Sequence, residues 1–465
     1  MKAFQLMHYP SYLSRYSVAL LMLGATLCGC TSFSKDGGLN DVKSLTQKHI
    51  QQEVVWQKTS AEQQLAEARV RELLQQALDV ESAVQIALLS NKGLQASLFD
   101  LGISEAELVQ AGRLPNPKFS MLYARHNGDY KIEQALTFNI FSLMTMPKML
   151  EIERLNFEKA KQQAALDVLK LAYQTRLAYF NAVTANELVA YSAQVLESAE
   201  ASAEMARRMV NAGNWNQLEL AREQGFYADA KQDVLTAKQI QIASHERLSR
   251  LLGVDVNQLA IQQRLPDLPK AISGQSQFQQ EAFEQRLDLQ AARLHVQALA
   301  KQLGLTKATR MINVLELGPA RVLEGRRGDR YKNGVDISFE LPLFDWGGAK
   351  VARAEATYMQ ALNRAAYIAS NAQSEIREAF GRYSASYEIA TQYHDEIVPL
   401  RKKVLDEKLL RYNGMLASPF ELFADARAQV SSVKTYIEKL NAFWQADTEL
   451  QMTRIGNLNA LEGKE

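Results

Sequence analysis

Apolar residues recur along this chain at two different spacings. Over roughly 148–252 and 348–456 they fall every third or fourth position, as at Leu166, Leu169, Tyr173, Leu177 and Phe180, the rhythm that lines one face of a helix. Between these blocks the spacing drops to two. Phe119, Met121 and Tyr123 alternate with Lys118 and Ser120, and beyond Asn127-Gly128 the residues Tyr130, Ile132, Leu136, Phe138 and Ile140 alternate with Lys131, Glu133, Thr137 and Asn139. That period places each set on one face of a strand, and Asn-Gly favours a tight hairpin turn. Val335, Ile337, Phe339, Leu341 and Leu343 repeat the pattern, with a less regular partner over 311–321. The pattern predicts four strands, at about 117–126, 130–140, 311–321 and 334–343, of about ten residues each, enough to cross an outer membrane when tilted.

Each helical block is interrupted once. The first bend reads Ala212-Gly213-Asn214-Trp215-Asn216 and the second Asn413-Gly414-Met415-Leu416-Ala417-Ser418, with Gly213 and Gly414 lying 201 residues apart. Glycine supplies the positive φ that ends a helix, and Asn216 or Ser418 can cap the next one. Two helical hairpins, 148–252 and 348–456, follow. A helix from 148 to 208 would extend roughly 90 Å, so such arms must lie against partners. The chain divides into a peripheral segment 30–78, a first repeat 79–270 and a second repeat 271–465.

Composition narrows the function. With 23 Gly and 10 Pro in 465 residues, helix breakers make up about 7% against a usual 12% or so. The 53 Lys and Arg balance 52 Asp and Glu, which excludes the basic surface of a nucleic-acid binder. The six His and two Cys form no metal-ligand spacing, so no metal or other cofactor is expected. There is no phosphate-binding Gly-x-x-x-x-Gly-Lys-Ser/Thr, and an enzyme is not expected.

Residues 1–29 read as a signal peptide: Lys2 and Arg15 precede the apolar run 18–27. Its end, Leu27-Cys28-Gly29-Cys30, resembles a bacterial lipobox, which makes Cys30 the acylated (palmitate-bearing) first residue of the mature chain. Thr31 in place of Asp implies sorting to the outer membrane, by the same resemblance. Residues 31–48 look like a flexible tether.

Four strands cannot close a barrel, and an open sheet leaves edge N–H and C=O groups unsatisfied in hydrocarbon. Two copies would make eight strands and three would make twelve; a wide pore favours twelve.

Several segments now carry a family likeness: Ala111-Gly112-Arg113-Leu114-Pro115-Asn116-Pro117, Arg247-Leu248-Ser249-Arg250-Leu251-Leu252-Gly253, Gln285-Arg286-Leu287-Asp288-Leu289, and Leu341-Pro342-Leu343-Phe344-Asp345-Trp346-Gly347-Gly348. In their order, spacing and duplication the chain resembles the TolC-like outer-membrane efflux proteins over about residues 80–456. The resemblance implies a mostly α fold with a small β part: a homotrimer with a twelve-stranded transmembrane barrel and long hairpins forming an α-barrel tunnel. It implies a lipid-anchored outer-membrane efflux duct, passive, served by a periplasmic adaptor and an inner-membrane pump. Its adaptor-contact tips would be Gly213, Asn214, Tyr412 and Gly414; family tips often read Tyr-x-x-Gly, whereas Tyr412-Asn413-Gly414 is one residue shorter and Val210 replaces the first Tyr.

Within such a duct the constriction carries the chemistry. Glu219 and Glu223 follow the first bend, and Glu421 and Asp425 the second, each pair spaced i, i+4 on one helix face. Whichever pair faces the trimer axis becomes an acidic gate ring that attracts cations, with Arg222 and Arg427 as balancing partners; the alternative is that these acids complement a helix dipole and face water. Pro399 is either a hinge or a static bend. The Met residues 144, 146, 149, 205, 209 and 415 suit packing, or soft-metal cargo such as copper. A lipid-tethered periplasmic coiled-coil scaffold without a pore is the alternative to a duct.

Overall fold

The computed structural model describes residues 32–255, 259–272, 285–326 and 328–456. The signal segment and Cys30 lie outside them. Helices α1 (Leu39–Thr46), α2 (Ser60–Leu73), α3 (Val80–Ser90) and α4 (Lys92–Ala111) lead into strands β1 (Lys118–His126) and β2 (Asp129–Asn139). Then follow α5 (Ile140–Asn211), α6 (Gln217–Leu252), α7 (Leu287–Ala308), β3 (Leu315–Gly325), β4 (Lys332–Phe339), α8 (Gly348–Gln392), α9 (Val398–Asn413) and α10 (Pro419–Thr453).

The described residues pack as two compact units. One comprises the described residues within 32–38, 102–158 and 294–362, and the other those within 39–101, 159–293 and 363–456. Each unit therefore draws on both halves of the chain.

The first unit holds one antiparallel sheet in the order β1-β2-β3-β4. Directly opposed residues share a face. Phe119 faces Leu136, Phe138 faces Leu317, and Leu317 faces Ile337, so apolar side chains form one face. Glu133, opposite Val322, and Glu316, opposite Ser338, mark the other. There Lys131 pairs with Glu133 at 2.9 Å and Lys118 with Glu316 at 3.7 Å. Much of the apolar face is exposed, with Phe119 at 64% and Val335 at 67%, although Leu323, opposite Ile132, is buried. Gly318 lets β3 lie close to β2, because a Cβ there would collide with the Leu136 carbonyl. Among the described residues the outer edges of β1 and β4 have no strand partner.

Two predicted boundaries shift. The third strand is Leu315–Gly325 rather than 311–321, and the fourth ends at Phe339 rather than 343. Pro342 has no N–H to donate, and the Leu343 amide instead turns back onto the Leu341 carbonyl at 2.8 Å. The first arm also begins earlier than 148, because Asn139 caps a turn ahead of Pro147, accepting the Ser142 amide at 2.8 Å. Its 72 residues extend about 108 Å.

The second unit is built around fully buried Leu78, Leu98, Leu169, Tyr173, Tyr179 and Leu248. The Tyr179 hydroxyl, which an apolar core would leave unsatisfied, donates to the Leu78 carbonyl at 2.7 Å. The flexible tether expected over 31–48 is corrected. Residues 39–46 are helical, and Val42, Ile50, Val54 and Trp56 enter this core because burying such side chains stabilises by about 1.5–3 kcal/mol each. Within the first unit, Ser34 is likewise held, its amide and hydroxyl both donating to Glu105 at 2.6 Å.

The segment Gln285–Leu289 forms a clasp. Arg286, fully buried, donates from Nη2 to Asp288 Oδ2 at 2.6 Å, from Nε to Asp288 Oδ1 at 3.0 Å, and from Nη1 to Glu375 at 3.0 Å. Burial opposes its charge, but the hydrogen bonds and charges of Asp288 and Glu375 outweigh it and hold the guanidinium above its ordinary pKa. Beside it the Leu287 amide donates to the Ile455 carbonyl at 2.8 Å.

Pro399 does not break its arm. The backbone widens into a π-helical turn, Tyr393–Ile397, and the Val398 amide reaches back five residues to the Tyr393 carbonyl. Such a turn accommodates a proline whose missing N–H leaves the carbonyl four residues earlier without its helical partner.

Candidate functional site

Both bends are closed by the same hydrogen bonds. In the first, Asn214 N–H donates to Met209 O and Gly213 N–H to Val210 O, each at 2.9 Å. In the second, Leu416 N–H donates to Arg411 O at 2.8 Å and Met415 N–H to Tyr412 O at 3.0 Å. This pairing requires a left-handed residue just past the helix. Gly213 supplies it, with φ of 77°, but in the second bend that residue is Met415, φ 59°, and not Gly414, whose φ is −81°. The expectation for Gly414 is corrected: Gly213 corresponds to Met415, one residue later than matching the glycines suggests.

From there the two bends keep step at a spacing of 202 residues: Asn216 and Ser418 cap, and Glu219 and Glu421 occupy the third helical position. Glu219 completes a reciprocal box, accepting the Asn216 amide at 3.1 Å while Asn216 accepts the Glu219 amide at 2.9 Å. Four residues on, the two halves diverge. Glu223 is 1% exposed. Its carboxylate accepts Ser202 Oγ at 2.7 Å and Arg427 Nη1 at 2.9 Å, which joins α6 to α10. Asp425 stays half-buried, and it and Glu421 flank Lys408 Nζ at 3.8 and 3.6 Å.

The expected balancing residues therefore separate. Arg427 meets Glu223, whereas Arg222 lies over the Phe420 ring at 4.9 Å. Lys408, on the opposite arm, balances the second acidic pair and was not singled out from the sequence; only the hairpin geometry brings it there. Trp215 packs edge-on against Phe423, with ring centroids 6.1 Å apart. Met205, Phe226, Phe423 and Val430 join the Glu223–Arg427 pair around a cavity of about 420 Å³.

Of the tip residues, Gly213, Asn214 and Gly414 are exposed and Tyr412 is half-buried. Two neighbouring apolar groups are more prominent: Met415 at 94% exposure, which the sequence offered only for packing or soft-metal cargo, and Leu416 at 81%, which it did not mark. Among the described residues, no group of three His, Cys, Asp or Glu could hold a metal ion, and no helix is long and apolar enough to cross a membrane.

Solved outer-membrane channels share this fold. The Campylobacter jejuni CmeC outer-membrane channel superposes with a TM-score of 0.68 at 18% identity, covering 81% of this chain and 85% of that one. The open-state Neisseria gonorrhoeae MtrE outer-membrane channel gives 0.66 at 15% identity, over 82% and 89%. The Vibrio cholerae outer-membrane protein VceC gives 0.66 at 14% identity, over 86% and 99%. Neither a protein-family profile nor a curated protein sequence matches the chain. The TolC-like resemblance read from the sequence is thus met at the level of fold.

Proposed function

We propose that three copies of this chain form a passive exit duct in the bacterial outer membrane, with a twelve-stranded barrel and a periplasmic tunnel of helical hairpins. The observation that carries this reading is a four-stranded sheet whose outer edges have no strand partner among the described residues and whose apolar face is largely exposed. Water would penalise that face, and hydrocarbon would penalise those edges by several kcal/mol for each unsatisfied group. Pooling strands with sister copies pairs the edges, and the closed barrel can then give its apolar face to hydrocarbon. Exposed apolar residues on the arms, among them Leu235, Ile242, Tyr367 and Leu400, supply surface for a neighbouring copy to cover.

The two bends, alike in caps and early acids, are an internal duplication in this reading. Glu421 and Asp425, with Lys408, are the gate ring. Glu219 acts as a cap, and Glu223 as a brace between the hairpins. The tips, Gly213, Asn214, Tyr412 and Gly414 together with Met415 and Leu416, meet a periplasmic adaptor, and an inner-membrane pump supplies the energy. Cys30 carries the lipid anchor.

Planar-bilayer recording tests the duct. Purified oligomer should carry sustained ion current; correctly assembled oligomer without current would instead favour a tethered scaffold.

A further inference from the structure

The apolar face of the sheet is crossed by a mostly polar row and, farther out, carries a second arginine. Starting from the helix end, Leu315 faces Phe339, then Leu317 lies between Phe138 and Ile337, and then Phe119 faces Leu136. The next row is different. Gln134, opposite Met121, faces Arg321, which faces Asn333. It begins roughly 20 Å of strand beyond the first apolar row, at about 3.4 Å per residue. Arg321 is exposed; its Nε donates to Gln134 Oε1 at 2.8 Å, and its guanidinium lies over the Tyr331 ring at 5.0 Å. Two rows farther out, Arg125 opposes Tyr130, its guanidinium 5.3 Å from that ring. Among the described residues neither arginine has a carboxylate partner.

A cation on a lipid-facing strand is unfavourable near mid-membrane and tolerated at the interface. Tyrosines beside the arginines match the aromatic girdle of such an interface. The neighbours of Arg321 supply an acceptor and a ring but no counter-charge, and a guanidinium retains planar donors suited to an anionic oxygen pair. The tight turn at Asn127-Gly128 lies on this side, at the strand ends opposite those that join α4 and α5.

We propose that Arg321, positioned by Gln134 and Tyr331 and assisted by Arg125, binds the headgroup phosphate of an anionic lipid in the outer leaflet. The site rests on the membrane reading above, because it requires this face to meet lipid. Its charge and depth complement a phosphorylated, multiply acylated glycolipid whose acyl chains lie along the apolar rows.

The test uses full-length oligomer in detergent, titrated with a diphosphorylated acylated glycolipid or with the same lipid stripped of phosphate, with retention read by native mass spectrometry. Wild type should retain the phosphorylated form more strongly, and Arg321→Gln and Arg125→Gln should each lower that retention by about fivefold. Equal retention of both lipids, or wild-type retention by both variants, overturns the site. Bilayer current from the same preparations separates the two levels. Current with unselective retention overturns the lipid site alone, whereas wild-type oligomer without current overturns the duct and this site with it.

Discussion

Met415 holds in the second bend the left-handed conformation that Gly213 holds in the first, and each closes its helix with the same pair of backbone hydrogen bonds. A side chain in that region costs about 1 kcal/mol, which glycine avoids. Met415→Gly should therefore raise stability by about 0.5–1 kcal/mol. Gly213→Ala should lower it by about 1 kcal/mol, since a Cβ there meets no atom within 4 Å and the cost is purely conformational. Thermal unfolding of both variants checks the pair. If the Met415 side chain instead serves adaptor contact, the more stable Met415→Gly protein should bind adaptor more weakly.

Removing Arg427 leaves a buried carboxylate without its counter-charge. Arg427→Ala should destabilise by about 3 kcal/mol, and replacing Glu223 and Arg427 together by Leu should recover most of that loss. A double-mutant cycle in denaturant measures the coupling. Additive effects would mean that Glu223 and Arg427 are not coupled.

The acidic pair beyond the second bend is balanced by Lys408. Lys408→Ala should strengthen block of the bilayer current by divalent cations by about two- to fivefold. Replacing Glu421 and Asp425 by Ala should abolish the block. Unchanged block in that double variant removes these residues from the gate.

Burial raises the Asp447 carboxyl above its ordinary pKa, against opposing effects from Arg176 and a hydrogen bond from Gln451. The proton is thus held more tightly in the folded state, so ionisation costs stability above the unfolded pKa, and the cost is absent in acid. Asp447→Asn should raise the melting temperature near pH 7, with the advantage vanishing below about pH 4. Melting curves across that range test the sign.

Period was legible in the sequence; register and long-range partners were not. Strict alternation located β1 and β2 to within about a residue, but Gly318-Pro319 interrupts the third strand, and its predicted position was four residues early. The second bend was located correctly, yet the left-handed residue was assigned to Gly414 because glycine is the default for positive φ; the cap register gives it to Met415. Glu223 looked like the twin of Asp425. Only packing between α6 and α10 shows that it is buried against Arg427. Lys408 lies 13 residues before Glu421, and no local spacing rule links them.

The Arg286 clasp also has a topological consequence. Because Leu287 bonds to Ile455 and Arg286 grips both Asp288 and Glu375, the second half of the chain is a loop drawn shut at its neck. A protease cut near Met415 would then leave two fragments fastened at the base, and the severed arms could splay apart without the halves separating.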